Sequence, residues 1–458
     1  MSARPLHILL VNNYTGRGGI PRAISLLANN MAGRGHRVTI ISQRPVPRPL
    51  SPLYRLGHAL NILSLPPGRR GPLPLGTQRL EQMYPLAPGI RVVPYAFSDK
   101  NLKVQRVRKQ IRALDPDVCV CPLPDGSQLV WAVTLLGSGV PYVYSERTSP
   151  RAIEETFWNR KGRLAAMSGA DAIHLLLPSY LESLPDFLRE RARAIPNAVA
   201  LPDRTATTDG EPGARKTLLW LGRLHEKLKQ CRLALDAFAL VAERFPDWDM
   251  HIAGDGQDAA LVKAHARQLE RTRGLAGRIR FLGELGDVWP TLASAQAFCF
   301  SSRLEGMPFA LLEAQASGLP CAAFAGCPGV PDLIRHEHNG LLAQTMDAVS
   351  LARQLERLMA DADLRRALGR NARLDAARFC ESAVYDAWEE LLREAAARKG
   401  ATVMDGFAHE PFASMARMAS RARQEWALRD FGEPLCDSVA GRIRETWRLA
   451  KLRVRQWL

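Results

Sequence analysis

The chain opens on an apolar run, Leu6–Val11, that stops at Asn12-Asn13 and gives way to the glycine-rich stretch Gly16-Arg-Gly-Gly-Ile-Pro21. Arg22–Gly33 then repeats its apolar residues at helical spacing, and Val38–Ser42 is a second short apolar run. Such runs mark strands buried on both faces, and strand–helix–strand alternation predicts a parallel, doubly wound α/β sheet. Further strands are expected at Val118–Cys121, Tyr142–Tyr144 and Ala172–Leu177, while residues 44–88, rich in Pro, Gly and Arg, read as an irregular insertion near the sheet's open end. Around Pro202–Lys216 the composition turns to Asp, Thr, Gly and Pro, as in a linker. A second series follows, with strands expected at Thr217–Leu221, Met250–Ala253, Ile279–Leu282, Ala297–Ser301 and Pro320–Ala323 and with helices between them. From Val349 to about Ala397 the pattern is helical throughout.

The last stretch, Val439–Leu458, places Ile443, Trp447, Ala450, Val454, Trp457 and Leu458 on one stripe flanked by Arg444, Arg448, Lys451 and Arg455. A basic amphipathic helix of this kind either lies on an anionic membrane leaflet or docks on its own protein, and both readings stay open. Net charge changes the picture in the same direction: 62 Lys and Arg against 46 Asp and Glu give +16, which points to anionic partners. Nucleic acid is not among those expected, because zinc-finger spacing, an aromatic ribonucleoprotein motif and basic blocks interleaved with aromatics are all missing. No apolar run approaches the roughly 18 residues of a membrane span, and the first run is too short for a signal-peptide core. The expected location is therefore the cytoplasm. The eight cysteines are scattered without metal-ligand spacing, so buried thiols are expected, with no disulfide and no zinc.

Candidate chemistry concentrates in Ser301-Ser-Arg-Leu-Glu305-Gly306-Met307-Pro308-Phe309 and the following Glu313. A strand is expected to end near Ser301 and a helix to begin close to Pro308, since proline suits the first turn of a helix. The free N–H groups and dipole of that turn favour an anion, and Gly306 lets a phosphate or sugar approach the backbone. Glu305 and Glu313 bracket this junction, and two carboxylates facing one pocket hold hydroxyl arrays such as sugars and riboses. A second segment, Gly222-Arg223-Leu-His-Glu-Lys227-Leu-Lys229, puts cations just past a strand end. Arginine forks onto phosphate oxygens and lysine adds a point charge, so the segment suits a diphosphate whose negative charge grows as a bond to it breaks. A third, the loop at Gly18-Gly19, is an incomplete dinucleotide fingerprint with no P-loop Lys-Ser/Thr, and suits close approach of a phosphate or acceptor.

Together these residues resemble the family 4 retaining glycosyltransferases, across most of residues 6–398 and most strongly over 217–345. Glu305 and Glu313 match the family's E-x7-E motif, with Gly306 and Pro320 in their usual places. Gly222-Arg223-Leu224 resembles its "GRL" strand end. Lys229 resembles its diphosphate-binding lysine in the subgroup with one extra residue before it, with Lys227 as the competing assignment. Ala253-Gly254-Asp255-Gly256 resembles the "G-x-G" after the next strand, Ile195-Pro196-Asn197 the "IPN" before the linker, and Gly18-Gly19 the N-terminal glycine loop. Where many members carry a histidine, Ser145-Glu146-Arg147-Thr148-Ser149-Pro150 resembles the "SERN-x-P" segment of a subgroup found with bacterial surface-polysaccharide assembly, and so do Cys327-Pro328 and Pro331-Asp332.

The resemblance implies a GT-B fold. Its parts are an N-terminal Rossmann-like acceptor domain (1–200), a linker (201–216), a C-terminal Rossmann-like nucleotide-sugar domain (217–375), a helix crossing back (376–400) and the helical tail (401–458). It implies a catalytic group of Glu305, Arg223, Lys229 and Arg147, the last standing in for the histidine near the transferred sugar. Glu313, Gly222, Lys227, Gly254, Gly306, Met307, Pro308 and Phe309 would bind the donor, and Gly18 and Gly19 the acceptor or a phosphate. Arg223 and Lys229 would clamp the diphosphate, Glu313 the ribose hydroxyls, and Glu305 with the amides of Met307–Phe309 the transferred sugar and nearby phosphate. No metal or other cofactor is implied, the nucleotide-sugar being a substrate. The expected activity is transfer of a sugar, with retention, to a lipid-linked or polysaccharide acceptor in cell-envelope glycan synthesis, peripherally on the inner face of the cytoplasmic membrane. The alternatives are another GT-B chemistry, such as an epimerase or phosphorylase, and an inactive GT-B protein that binds membranes or partners.

Overall fold

A computed structural model describes residues 4–12, 18–42, 84–94, 104–122, 138–156, 169–210 and 213–400, with Leu135, Arg163, Leu164 and Met167 among them. The tail from residue 401, Gly16-Arg17 and most of the 44–88 stretch lie outside the described residues. The first sheet holds β1 (His7–Asn12), β2 (Arg37–Ser42), β3 (Arg91–Pro94), β4 (Val118–Cys121), β5 (Tyr142–Ser145), β6 (Ala172–Leu175) and β7 (Ala192–Ala194), in the order β3-β2-β1-β4-β5-β6-β7. The second holds β8 (Lys216–Leu221), β9 (Trp248–Ala253), β10 (Ile279–Gly283), β11 (Ala297–Phe300), β12 (Cys321–Phe324) and β13 (Leu341–Ala343), in the order β10-β9-β8-β11-β12-β13. Pairing is parallel, with His7 opposite Arg37, Lys216 opposite Trp248 and Leu218 opposite Ala297.

Parallel strands are covered on both faces by their crossover helices, which is why β4 (Val-Cys-Val-Cys) and β11 (Ala-Phe-Cys-Phe) are apolar at every position and buried throughout. Each fully buried Leu, Ile or Phe in such a strand contributes roughly 1.5–3 kcal/mol. The chain divides into two compact units, one made of Met1–Leu123, Ser127–Val143 and Ala395–Leu458, the other of Tyr144–Glu394 with Pro124–Gly126. Within the second unit the linker segment is strapped to the helices beside it: Ala206 N–H donates to the Ser317 carbonyl (2.7 Å), and Arg373 and Arg365 donate to the carbonyls of Pro202 (2.8 Å) and Thr208 (2.9 Å).

The helical pattern after Val349 is not one run but Ala348–Ala360, Ala362–Ala376, a 3-10 turn at Ala377–Phe379, and Glu381–Ala396. Asp361 makes the first break: its backbone is extended (ψ 108°) and its carboxylate accepts the Leu364 N–H (2.9 Å), capping the next helix.

His174 on β6 is buried between Ser145 Oγ (2.9 Å) and the Ile195 carbonyl (2.7 Å), with its ring 4.3 Å from that of Trp388. Burial, reinforced by the nearby Arg147 charge, holds its pKa well below the ordinary histidine range. The unfolded chain takes up a proton near pH 6.5 that the folded chain refuses, so stability is full above that pH and falls as pH drops below it. The apparent Tm is expected to fall between pH 7.5 and 5.5, with a shallower slope in His174→Gln; equal slopes would rule this out.

Candidate active site

In the second sheet the chain runs outward from β8 to β9 and β10, then returns to lay β11, β12 and β13 on β8's other side. That reversal opens a crevice at the carboxyl ends of β8 and β11, where open α/β sheets bind ligands. Both chemically suggestive segments start there, Gly222–Gln230 leaving β8 and Ser301–Phe309 leaving β11.

Short hydrogen bonds tie the two segments together. Trp220 Nε1 donates to Ser301 Oγ (2.9 Å), Ser301 Oγ donates to the Lys229 carbonyl (2.8 Å), and Arg303 N–H donates to the Leu228 carbonyl (2.8 Å). Lys229 closes a one-turn helix, Glu226–Lys229, because Gln230 turns left-handed (φ 48°) before the next helix begins at Cys231. The outcome is an ion pair between Lys229 Nζ and Glu305 Oε1, with the side chains 25% and 12% exposed. Lys227 is exposed on the same turn, so it is Lys229 that the fold brings onto Glu305. Arg223 is exposed just past the strand end.

Gly254, at the end of β9, has a packing reason of its own. Its φ is 130°, and a methyl group there would stand 1.9 Å from the Gly222 carbonyl oxygen. Gly222 in turn donates its N–H to the Ala253 carbonyl (3.0 Å), and Leu224 N–H reaches the Asp255 carbonyl (3.0 Å), so the two strand ends interlock.

Pro308 does not enter the first helical turn as expected; it stands just before it, with ψ at 122°, and the helix is Phe309–Ala316. The chain is extended there because its carbonyls are held from outside: Tyr180 OH donates to the Gly306 carbonyl (2.5 Å), and Asn197 Nδ2 donates to the Met307 carbonyl (2.8 Å). Gly306 also lies against residues 147–148, where a methyl group on it would stand 2.6 Å from Thr148 Cα. Glu313 is buried within the helix at 2% exposure.

Arg147 donates to Asn197 Oδ1 (2.7 Å) and lies 5.9 Å from the centre of the Trp388 ring. Desolvation lowers its pKa to about 10, so it remains charged at neutral pH. Its neighbour Glu146 makes a two-pronged pair with Arg163 (both contacts 2.8 Å), and both side chains are 0% exposed. Gly18 (φ 135°) precedes the helix Gly19–Gly33 in the first unit, and its carbonyl accepts the Arg22 N–H (3.2 Å). Tyr180 and Arg163 carry no motif and were not anticipated, and Asn197 was noted only as part of a motif. Their partners lie 126, 17 and 110 residues away in sequence, so no local spacing announces them.

Among the described residues no group of three or more His, Cys, Asp or Glu could hold a metal ion. None of the seven described cysteines is in a disulfide, Cys436 lying outside the described residues. No described helix is long and apolar enough to cross a membrane.

Two parallel, doubly wound sheets, the second with a lysine–glutamate pair at its crevice, define the GT-B plan of glycosyltransferases. Residues 18–198 match the family described as "Glycosyl transferase 4-like domain" and residues 215–361 the one described as "Glycosyl transferases group 1". An uncharacterized glycosyltransferase of Haemophilus influenzae is 22% identical, over 83% of this chain and 98% of its own. The Campylobacter jejuni GalNAc-alpha-(1->4)-GalNAc-alpha-(1->3)-diNAcBac-PP-undecaprenol alpha-1,4-N-acetyl-D-galactosaminyltransferase is 24% identical, over 82% and 95%. The crystal structure of Anabaena HepE in complex with UDP superposes with a TM-score of 0.64 at 16% identity, covering 85% of this chain and 100% of that one. The chain belongs to the family 4 glycosyltransferases and is a sugar-transferring enzyme of GT-B fold.

Proposed function

We propose that this enzyme takes a sugar from a nucleoside-diphosphate carrier and passes it, with retention, to a lipid-linked or polysaccharide acceptor in cell-envelope glycan synthesis, namely lipopolysaccharide, exopolysaccharide or capsule. The observation that carries the reading is the Lys229–Glu305 pair at the β8–β11 crevice, one turn ahead of the Phe309–Ala316 helix. Arg223 and Lys229 neutralise the diphosphate as charge builds on it, Glu313 takes the ribose hydroxyls, and Glu305 holds the transferred sugar. The amides of Met307 and Phe309 serve the adjoining phosphate, Pro308 having no N–H. Attack occurs on the face the diphosphate leaves, and the departing phosphate takes the acceptor's proton. No protein nucleophile, metal or other cofactor takes part, and catalysis rests on positioning and charge. The Gly18-Gly19 loop serves the acceptor side. A lipid-linked acceptor accords with the undecaprenol-linked substrate named for the Campylobacter relative. On this reading the enzyme works in the cytoplasm at the anionic inner face of the membrane, with no role for nucleic acid.

The test is a thermal-shift panel of UDP, GDP, ADP, CMP and inorganic phosphate against the wild type and Glu313→Ala. UDP leads because HepE was crystallised with it. A nucleoside diphosphate at 100 times its Kd adds about 2.7 kcal/mol of stability. One diphosphate is expected to stabilise the wild type and to lose that effect in the variant. Stabilisation by anionic vesicles or DNA alone, or turnover that requires inorganic phosphate, would overturn the reading.

A further inference from the structure

We infer that Ser301 and Trp220 are positioning residues for the donor diphosphate: Ser301 holds the Lys229 backbone so that its ammonium stands at the crevice, and Trp220 acts through Ser301. The inference rests on the reading of Lys229 as a diphosphate cation given above. Lys229 ends a helix of only four residues, Glu226–Lys229, in which the Leu228 and Lys229 N–H groups both donate to the His225 carbonyl (3.1 and 2.8 Å). So short a helix does not hold its shape unaided, and the carbonyls of a last helical turn lack partners of their own. The loop after β11 supplies two. Ser301 Oγ donates to the Lys229 carbonyl (2.8 Å) and Arg303 N–H donates to the Leu228 carbonyl (2.8 Å). The same loop carries Glu305, which takes the Lys229 ammonium. Backbone and side chain of this lysine are thus set by partners 72 and 76 residues away in sequence.

The serine hydroxyl has a defined direction. The Trp220 indole N–H is donor-only, whereas a hydroxyl carries one proton and two acceptor lone pairs. With Trp220 Nε1 donating to Ser301 Oγ at 2.9 Å, the hydroxyl accepts there and gives its own proton to the Lys229 carbonyl. Ser301 is 0% and Trp220 2% exposed, so solvent does not stand in for either. Removing the hydroxyl leaves the indole N–H and the lysine carbonyl without that partner and frees the end of the helix. The diphosphate must then order the lysine itself, at a loss of affinity.

The experiment titrates the full chain with UDP and UMP, or GDP and GMP if the panel selects guanine. The proteins are wild type, Lys229→Met, Ser301→Ala, Trp220→Phe, the double variant of Ser301→Ala with Trp220→Phe, and each of these two changes combined with Lys229→Met. The diphosphate-to-monophosphate affinity ratio is expected to fall about tenfold or more in Lys229→Met. It falls about fivefold in Ser301→Ala and about twofold in Trp220→Phe, which keeps an aromatic ring but lacks the donor. No double variant falls below its more severe single, because each residue acts through the next. Should Ser301→Ala fail to fold, Trp220→Phe takes its place in both comparisons. A merely structural role would weaken both nucleotides together. A ratio unchanged in folded Ser301→Ala while Lys229→Met lowers it overturns the inference, and so does a Ser301→Ala loss that persists in Lys229→Met. Wild type that binds no nucleoside diphosphate, or a ratio unchanged in Lys229→Met, overturns the donor reading itself.

Discussion

Glu305→Ala is expected to cut turnover by about 10²–10³-fold while nucleoside-diphosphate binding holds or tightens. Two facts set this pattern. On the proposed donor reading, Glu305 is one of two carboxylates beside the Phe309–Ala316 helix, and removing it takes a hydrogen-bond acceptor from the sugar's hydroxyls as the ring gains positive character. It is also the ion-pair partner of Lys229, and so competes with phosphate for that cation. Alanine leaves Lys229 wholly to the diphosphate, so binding energy is kept while rate is lost. Glu305→Gln is expected to fall between, keeping a hydrogen-bond acceptor but not the charge. The pair is a quarter exposed on the lysine side, so its loss leaves the unfolding temperature nearly unchanged. Steady-state kinetics with the donor from the nucleotide panel, beside a diphosphate titration, gives the answer. Full turnover in a folded Glu305→Ala protein would falsify the site assignment.

Glu146→Ala is expected to damage the fold instead, lowering the apparent unfolding temperature on the order of 10 °C. Glu146 and Arg163 are both fully buried, so alanine at 146 strands a guanidinium in a low-dielectric interior. Breaking such a pair costs about 3–5 kcal/mol, more than the pair itself is worth, because the surviving charge is left uncompensated. Among the described residues Arg163 keeps Ser183 Oγ at 2.9 Å and a long contact to Glu154 at 3.5 Å. Replacing both residues with apolar ones of similar size, as in Glu146→Leu with Arg163→Met, is expected to recover most of the loss. Thermal unfolding of the single and double variants decides it, and a double variant no better than Glu146→Ala would show that the pair does more than neutralise itself.

These two glutamates show what the sequence disclosed and what it could not. Glu305 was legible because strand, loop and helix follow one another within a dozen residues, and Lys229 because it follows a strand end. Ser145–Pro150 was read as one functional segment, yet Glu146 turns inward to Arg163 while Arg147 reaches Asn197, and nothing in the local spacing tells the two directions apart. The central strands were found from their continuous apolar runs. β3, β7 and β13 were missed because they are three or four residues long and lie at sheet edges, and β7 carries the exposed Arg193. The helix begins next to Pro308, as the sequence suggests, but the proline itself stands in the extended approach, because its fixed φ suits both settings and only the distant side chains of Tyr180 and Asn197 decide between them.

The interlock of Gly222 with Gly254 bears on how this lineage could change through time. Gly254 admits no side chain, because its first carbon would strike the Gly222 carbonyl oxygen, whereas one at Gly222 would press on the Trp220 ring at 3.3 Å, so mutational drift is shut out most firmly at Gly254. Between Leu224 and Lys229 the chain is held at both ends, by Asp255 on one side and Ser301 on the other, and the turn between them closes on a left-handed glutamine. The turn is held inside as well, by Arg303 N–H on the Leu228 carbonyl (2.8 Å) and by an Asp258 carboxylate oxygen on the Glu226 N–H (2.7 Å), so a change in its length would have to keep all of these ties to leave the lysine's backbone in place.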